Sequence, residues 1–509
     1  MAFENSFIKN KSIMKKQLFI GISAFLFVGL FSCSKHYFDI NNNPNSATNA
    51  SPELVLSNAI TATVATQETN YNFISAWLGY LGQSGSYATG AGDIASYKQI
   101  NTFGDGIWQN RYHNLADYDY VEKSATAQNK YYYVATAKIM KALVFQQLVD
   151  MFNNVPYKQA FLGTANITPS YDDAQFIYND ITTQIDTAIT LLQRQDAIGS
   201  ATSDVLFGGK NASWIQFANT LKLRILIRQT QVAANLSFIQ AEYAKITANG
   251  GGFLTTDALV NPGYANSTGQ QSPVWGFYVT LTGLPTSGGA ADFWKAGQYS
   301  INWLKTHNDP RYKYIYSIGG NGTYNGSVLG AVSNPPGNDA SSIGPGILKS
   351  ANQSAVLISA AESYFLQSEA NLRGLFGRSI DAVTNYNNGV MASFNYLGAP
   401  TDSANKYLNQ NDRMTNYALA TTFNDRLAAI IRQKWIAMDG ITPFEAWCDY
   451  RRLKLPADIP LSVSSYLDVA PAAIPIRILY PTSEYQTNAV NVNQQGTINY
   501  HSSPVFWNK

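Results

Sequence analysis

The chain has 509 residues, of which 35 are Lys or Arg and 33 are Asp or Glu, and its formal net charge is +2. This balance gives no electrostatic footprint for nucleic acid or for an anionic membrane surface. Charged residues make up only 13 % of the chain, whereas Tyr alone contributes 32 residues. Because aromatic rings stack on the apolar faces of sugars, this composition is compatible with a surface for neutral, hydroxyl-rich ligands.

The N-terminal segment has the pattern of an export signal that ends at a cysteine. A basic patch that includes Lys15 and Lys16 precedes an apolar run over residues 18–31. The run is too short to span a bilayer, which takes about 20 residues, but it matches the apolar region of a signal peptide. Ser32 and Cys33 follow it, and a small residue before a cysteine resembles the lipobox of bacterial lipoproteins.

The resemblance to a lipobox sets the first boundaries of the chain. It predicts a signal peptide over residues 1–32, with Met14 as an alternative start, and a lipid on the sulfur of Cys33. The polar, Asn-rich residues 33–50 are then a tether between the lipid and the folded protein. Cys448 is left without an intramolecular disulfide partner. The alternative is an ordinary signal peptide in which the cysteine is incidental.

The first half of the folded part has helical periodicity. Ser51, Pro52 and Glu53 form a helix start, with a hydroxyl N-cap, a proline at the first helical position and an early acid. Apolar residues over 131–152 cover a broad helical face. Further amphipathic segments with short connections indicate antiparallel helix pairs. No signature repeats at the period of about 34 residues that tetratricopeptide repeats have.

The amino-acid composition changes over residues 250–350, which are rich in Gly, Asn, Ser and Pro. Long irregular segments in a compact protein are usually functional or disordered, and the aromatic residues embedded here argue against simple disorder. Helical periodicity returns around 354–377 and 421–440. The chain is therefore predicted to be mainly α, with a helix-pair scaffold that carries an irregular, loop-rich insert.

The sequence gives no support for an enzyme, a metal site or a cofactor. It has no G-x-S-x-G elbow and no P-loop. Its four histidines are far apart and form no zinc pattern; they are His36, His113, His307 and His501. Glu362 and Glu369 lie seven residues apart and could act as paired carboxylates, but ion pairs with neighbours such as Arg373 are the favoured interpretation.

A charged cluster near the C-terminus surrounds Trp435 and Trp447. Charge-assisted hydrogen bonds that lock two helices together are favoured over chemistry for this cluster. Its members are Arg432, Lys434, Glu445, Asp449, Arg451 and Arg452.

Several segments together resemble the SusD/RagB family of nutrient-binding outer-membrane lipoproteins of Bacteroidetes-type bacteria. The segments are "LVDMFNNVPYKQA" at 148–160, "NDPRYKYIY" at 308–316, "AAESYFLQSEANLRG" at 360–374, the block at 430–456 and the block at 474–492. The resemblance implies a tetratricopeptide-like helix-pair scaffold over residues 51–509, with a more irregular ligand-binding portion.

The same resemblance implies a function at the cell surface. The protein is expected to capture an oligosaccharide and deliver it to a SusC-like TonB-dependent transporter of the outer membrane. An oligopeptide ligand is the alternative within the family. A secreted hydrolase and a purely structural surface lipoprotein are the alternatives outside it. The acidic residues that often follow a surface-exported lipidated cysteine are absent from "SKHYF", so the exterior orientation rests on the family likeness.

Aromatic residues in irregular sequence are the candidates for ligand contact. Glycines around them let the backbone turn, so that the rings could protrude from the surface and stack on a ligand. Core packing is the alternative for each ring. The candidates are Trp77, Tyr80, Tyr87, Trp108, Trp275, Tyr278 and Trp294.

Overall fold

The computed structural model describes residues 50–87, 92–375 and 381–508. The predicted signal peptide, Cys33 and almost all of the tether lie outside these ranges and stay predictions. From Pro52 onward the chain forms one compact unit. No helix in the described ranges has the combination of length and hydrophobicity that crossing a membrane requires.

Helices that pack on their neighbours in sequence make up the first half. The first begins at Pro52, as its start signal predicted, and α3, α4, α5 and α6 pack in succession. The helices are α1 Pro52–Thr69, α2 Asn72–Trp77, α3 Asp105–Ala127, α4 Tyr131–Phe152, α5 Ala174–Leu192, α6 Asn211–Arg228 and α7 Leu236–Asn249. Short 3-10 turns occur at Gly163–Ala165 and Ala233–Asn235.

Amphipathic periodicity explains why these helices pair. In α5 the residues Ile177, Ile181, Ile185 and Ile189 recur every four positions, and all are buried. The Asp173 carboxylate caps the same helix by accepting the N–H of Phe176 at 2.9 Å. The predicted helix-pair scaffold is confirmed.

The insert predicted at about 250–350 contains only short elements among its loops. The helices among them are α8 Pro273–Tyr278, α9 Ala290–Phe293, α10 Gln298–Thr306 and α11 Tyr312–Ile315. Longer helices return after it: α12 Ala360–Leu372, α13 Asp381–Leu397, α14 Thr401–Leu408, α15 Phe423–Met438 and α16 Pro443–Leu453. A 3-10 turn at Tyr417–Leu419 and two short helices, α17 Thr482–Thr487 and α18 Ala489–Asn493, complete this half.

In the described ranges, three small antiparallel sheets of two strands each join separate segments of the chain. Their strands are β1 Leu81–Gln83, β2 Val155–Pro156, β3 Tyr171–Asp172, β4 Ala258–Val260, β5 Trp294–Ala296 and β6 Ala355–Ile358. The pairs are β1 with β5, β2 with β3, and β4 with β6. Strand β4, near the start of the insert, pairs with β6, just after its end, and the pairing of β1 with β5 joins the insert to the N-terminal part of the chain.

A buried ion network links α6, α12 and α16. Arg224 of α6 donates to both carboxylate oxygens of Glu362 at 2.8 and 2.9 Å. Arg452 of α16 does the same to Glu369, at 2.6 and 2.8 Å, and also reaches Asp449 at 2.9 Å. These residues are almost fully buried. The two glutamates are therefore structural ion-pair partners, as the sequence favoured.

The arginines also set the ionisation of these carboxyls. Burial alone would raise the pKa of Glu369, but the guanidinium groups of Arg452 and Arg373 outweigh burial and hold that pKa below its ordinary value. The pKa of Asp449 is lowered in the same way, by Lys434 and Arg452 against the effect of burial. Both acids are therefore charged in the folded protein, and the neighbouring cations stabilise the charged form of each.

Removing one cation of the network should destabilise the fold. In Arg452→Met, Glu369 and Asp449 lose a buried partner, and we expect the free energy of unfolding to fall by about 3–5 kcal/mol. Chemical denaturation of the purified protein measures this loss. The control is Arg194→Met, which breaks the exposed pair between Arg194 and Asp196 and should leave the midpoint unchanged. Equal midpoints for the two variants would contradict a stabilising role for the network.

Candidate ligand-binding cleft

The pairing of β1 with β5 brings together two loops that are more than 200 residues apart. Gln83 lies opposite Trp294, and the N–H of Ser84 continues the pairing to the Phe293 carbonyl at 2.8 Å. The next residue, Gly85, donates its N–H to Pro335 at 2.9 Å. A Cβ at this position would lie 2.0 Å from the Asn334 carbonyl oxygen, so only glycine fits without a backbone shift.

The strand pairing assembles an aromatic wall, which consists of Tyr87, Phe293 and Trp294. The ring centroids of Tyr87 and Phe293 are 5.1 Å apart, and those of Phe293 and Trp294 are 4.7 Å apart with nearly perpendicular planes. Both pairs have the edge-to-face geometry that aromatic rings prefer. Two clefts, of about 640 and about 560 Å³, share Tyr87 and Trp294 in their linings. We call the larger one the main cleft and the other the second cleft.

The main cleft mixes apolar, hydroxyl and amide groups. Its lining includes the wall residues Tyr87 and Trp294, the apolar residues Tyr278, Val279, Pro285 and Ile318, and the polar residues Ser86, Ser317, Asn338 and Ser342. A pocket of this size with a few oriented polar groups is typical of small-molecule sites, which measure about 300–1,000 Å³.

The two charged residues of the main-cleft lining, Asp292 and Lys295, have opposite signs and are both engaged with the protein. The ammonium of Lys295 donates to the Ala291 carbonyl at 2.7 Å and to Ser342 Oγ at 3.2 Å. The Asp292 carboxylate accepts the N–H of Gly288 at 2.6 Å. Burial lowers the pKa of Lys295, and the nearby Asp292 opposes that effect. The cleft therefore presents hydrogen-bonding groups without an excess of either charge.

The seven predicted aromatic residues divide into three groups. Tyr87, Tyr278 and Trp294 line the main cleft. Trp275 lies on α8 with Tyr278, is half-buried, and is outside the lining of either cleft. The remaining three, Trp77, Tyr80 and Trp108, are buried in the hydrophobic core.

The expectation that the rings of these three residues protrude is wrong. Tyr80 stacks on Trp435 at 4.7 Å and donates its hydroxyl to the Trp435 carbonyl at 2.6 Å. Trp108 meets the edge of Phe152 at 5.0 Å. Trp77 donates its indole N–H to the Ile94 carbonyl at 3.0 Å. The glycines nearby permit turns, but partners that are distant in sequence draw these rings inward.

Sequence reasoning missed Phe293 and Lys295, and it missed the loops that supply Ser317, Asn338 and Ser342. The doublet of Phe293 and Trp294 was a usable signal, because Phe293 directly precedes a residue that was already a candidate. No comparable signal exists for the lysine or the serines, whose roles arise from folding.

Comparison with known proteins supplies the family. A sequence model of SusD-like proteins, described as "Starch-binding associating with outer membrane", matches residues 44–481. The chain belongs to the SusD-like family. Among curated proteins, none matches it.

Solved structures of the family share the fold. A chitin-binding SusD homologue from Flavobacterium johnsoniae is 23% identical, with a TM-score of 0.72 over 90% of this chain and 98% of that one. A SusD homologue from Bacteroides fragilis is 20% identical, with a TM-score of 0.71 over 91% of this chain and all of the other. One from Bacteroides vulgatus is 19% identical, with a TM-score of 0.73 over 90% and 97% of the two chains.

Two carboxyls, the buried Asp439 and the half-buried Glu68, anchor the main cleft of this SusD-like protein to its scaffold. Asp439 accepts hydrogen bonds from Ser300 Oγ at 3.1 Å and from the Tyr316 hydroxyl at 2.5 Å, and Tyr316 directly precedes the cleft residue Ser317. Glu68 accepts the N–H of Val274, at the start of the helix that carries Tyr278. Burial raises the pKa of each to about 7. In the described part of the chain, no three His, Cys, Asp or Glu side chains form a group that could hold a metal.

The raised pKa of Asp439 predicts a pH dependence of stability. The folded state holds this proton more tightly than the unfolded state, so the stabilisation is complete below the ordinary aspartate pKa and is lost as the pH rises to about 7. Asp439→Asn imitates the protonated form. We expect the free energy of unfolding of the natural protein to fall from pH 4 to pH 7 by up to about 4 kcal/mol more than that of the variant.

Chemical denaturation at a series of pH values measures the free energy of unfolding of the natural protein and of Asp439→Asn. Asp402→Asn, at an exposed position of α14, is the control and should follow the natural protein. Parallel curves for Asp439→Asn and the natural protein would show that this carboxyl does not bind its proton more tightly on folding.

Proposed function

We propose that the protein captures a neutral oligosaccharide in the main cleft and delivers it to a SusC-like TonB-dependent transporter of the outer membrane. The observation that carries this proposal is the aromatic wall, with Tyr87 and Trp294 lining a cleft whose Asp292 and Lys295 balance in charge. Sugars offer the matching chemistry, because their C–H faces stack on rings and their hydroxyls bond to serine and amide groups. The chitin-binding relative with the same fold supports a carbohydrate ligand.

The energetics favour an extended ligand. A stacked ring contributes on the order of 1 kcal/mol beyond its buried area, and binding must offset the lost freedom of the ligand. One sugar unit on this wall would therefore bind weakly. A cleft of about 640 Å³ accommodates several units, whose contacts add. We propose that the role is binding without catalysis, since Arg224 and Arg452 engage the glutamates that resembled a catalytic pair.

Substitution of the exposed wall residue should weaken glycan binding without affecting the fold. Tyr87 is 37% exposed and lines the main cleft, so Tyr87→Ala should weaken binding by about tenfold or more. Tyr120→Ala is the matched control, because Tyr120 on α3 is also 37% exposed but lies outside the cleft lining. Calorimetry against a panel of neutral glycans, uronate-containing glycans and a peptide mixture provides the measurement.

The outcomes of this titration separate the hypotheses. Saturable binding of a neutral glycan that changes little between low and high salt supports the proposal. If the protein binds peptides and no glycan, the ligand is an oligopeptide and the carbohydrate hypothesis is wrong. If Tyr87→Ala and Tyr120→Ala weaken glycan binding equally, the main cleft is not the site.

Delivery to a transporter requires the protein to stay at the membrane, which we propose is achieved by lipid on Cys33. Several acyl chains, at roughly 0.8 kcal/mol per buried methylene, hold a folded domain on a membrane almost permanently. Cys33→Ala should release the protein into the soluble fraction of the producing bacterium and abolish the mass that the lipid adds. Fractionation and mass spectrometry of both forms test this expectation.

The control is Cys448→Ala, since Cys448 is a buried thiol of the folded domain and its loss should leave the membrane association intact. Membrane attachment of Cys33→Ala at the natural level would refute the anchor. Isolation of the natural protein from native membranes without a large β-barrel partner would refute delivery.

A further inference from the structure

A third cleft, of about 510 Å³, lies at the C-terminal end of α10 and shares no lining residue with the main cleft or the second cleft. Its walls come from α10, from α15 and from the loops that follow α14 and α16. All of its lining residues belong to the described ranges. Its volume lies within the range of about 300–1,000 Å³ that small-molecule sites have, and capture in the main cleft gives it no role.

Helix α10 directs three rings toward α15. Tyr299, Trp303 and His307 recur every four positions and therefore share one helical face. The rings of Trp303 and His307 are stacked, with centroids 4.0 Å apart. The guanidinium of Arg432 lies 4.7 Å from the centroid of Trp303 and donates to the Tyr299 hydroxyl at 2.9 Å. The orientation of Trp303 is therefore fixed before any ligand enters, so binding here requires little ordering of the protein.

Two polar edges in this lining have no partner and are open to solvent. Trp303 is 8% exposed, and its indole N–H neither bonds to a described residue nor belongs to the partnerless atoms that are closed off from solvent. The same holds for His307 Nε2. His307 Nδ1 bonds to the Asp412 carboxylate at 2.5 Å. Because a carboxylate only accepts, the proton of the neutral imidazole lies on Nδ1, and Nε2 is an acceptor. The cleft thus offers one free donor beside one free acceptor.

The charges of this lining are already paired within the protein. An ion that entered the cleft would have to displace one of these partners, so the pairing disfavours both anions and cations. A wholly apolar molecule would deprive the free donor and the free acceptor of water without replacing it, which costs free energy. The pairs are Arg432 with Asp458, His307 with Asp412, and Arg413 with Asp425.

We propose that the third cleft is a second saccharide-binding site, which takes an uncharged sugar unit. One sugar hydroxyl donates to His307 Nε2, a second oxygen accepts the Trp303 N–H, and the C–H face lies against Met414, Leu455 and Pro456. Sugar hydroxyls suit this pair because each can donate and accept. The inference goes beyond the proposed function, since it holds whatever the main cleft binds. A polysaccharide long enough to reach both clefts would be held at two points, which raises its apparent affinity.

NMR of isotope-labelled tryptophan observes the two sites separately, because each of the nine tryptophans has its own indole N–H signal. Trp303→Phe removes the signal of the third cleft and Trp294→Phe removes that of the main cleft, which assigns both signals. The full mature chain is titrated with the methyl glycosides of glucose, galactose, mannose, xylose and N-acetylglucosamine. We expect one or more glycosides to shift the Trp303 signal in a saturable way, and Tyr87→Ala should leave this titration unchanged.

Two further probes test the chemistry of the site. Methoxycyclohexane has a ring without the sugar hydroxyls, and methyl glucuronide adds a carboxylate. Both should bind more weakly than the best glycoside. Equal or tighter binding of either probe, or no shift of the Trp303 signal with any glycoside, would overturn the proposal. A shift of the Trp294 signal alone would overturn this site and keep the main-cleft proposal, whereas a shift of the Trp303 signal alone would do the reverse.

The variant His307→Phe isolates the acceptor. A phenyl ring can stack on Trp303 but has no nitrogen, so the affinity for the best glycoside should fall about fivefold to tenfold, the effect of one hydrogen bond. His113→Phe, at an exposed position of α3 outside the lining, is the matched control and should bind as the natural protein does. An unchanged affinity of folded His307→Phe would refute the assigned hydrogen bond. If His307→Phe does not fold, Ala457→Tyr blocks the cleft from an exposed position, and a Trp303 shift that survives this block would refute the site.

Discussion

The main cleft and the second cleft both depend on a pairing of three residues with three, β1 with β5. The pairing alone is too short to be stable, since isolated two-stranded ribbons are marginal even at greater length. Neighbouring backbone bonds reinforce it: Ala296 donates to Ser341, Ser327 donates to Ala296, and Gly85 donates to Pro335. Backbone hydrogen bonds therefore connect the loops of the insert to one another and to the segment that contains β1. The aromatic wall lies at the end of the β1–β5 pairing.

Many of the charged residues of the scaffold are buried in ion pairs. Because the chain has few charges in total, few are left for the lining of the main cleft, which is nearly neutral. Arg224 and Arg452, with their glutamates, connect three helices through bidentate contacts that burial makes strong and directional. Such pairs add less net stability than their Coulomb attraction suggests, because each charge gives up its hydration. They specify which helix faces meet, and a mismatched helix would leave a charge buried without a partner. The lining of the main cleft, by contrast, holds one charge of each sign among apolar, hydroxyl and amide groups.

The sequence predicted the parts of the structure that depend on local pattern. Periodicity located helices such as α4 and α5, and composition located the insert, because both signals occur within a single segment. The aromatic residues were harder, since burial depends on partners far away in the chain. Tyr80 is buried because Trp435 lies against it, and Trp77 because Ile94 and Phe103 do. Trp294 was a candidate for ligand contact and lines the main cleft, but no local signal showed that Gln83 is its partner in the strand register.

The way the clefts are held also bears on affinity. Weak, additive contacts suffice for capture only if the protein spends little free energy on ordering its site. Here Asp439 holds Tyr316, Glu68 holds the start of α8, and Trp77 holds the loop at Ile94, each through hydrogen bonds that exist before a ligand arrives. Trp294 is fixed by strand register and nearly buried, whereas Tyr87 is more than a third exposed. The wall thus combines one fixed ring with one that is free to adjust, and the proposed capture of an extended ligand requires this combination, because successive units differ in position.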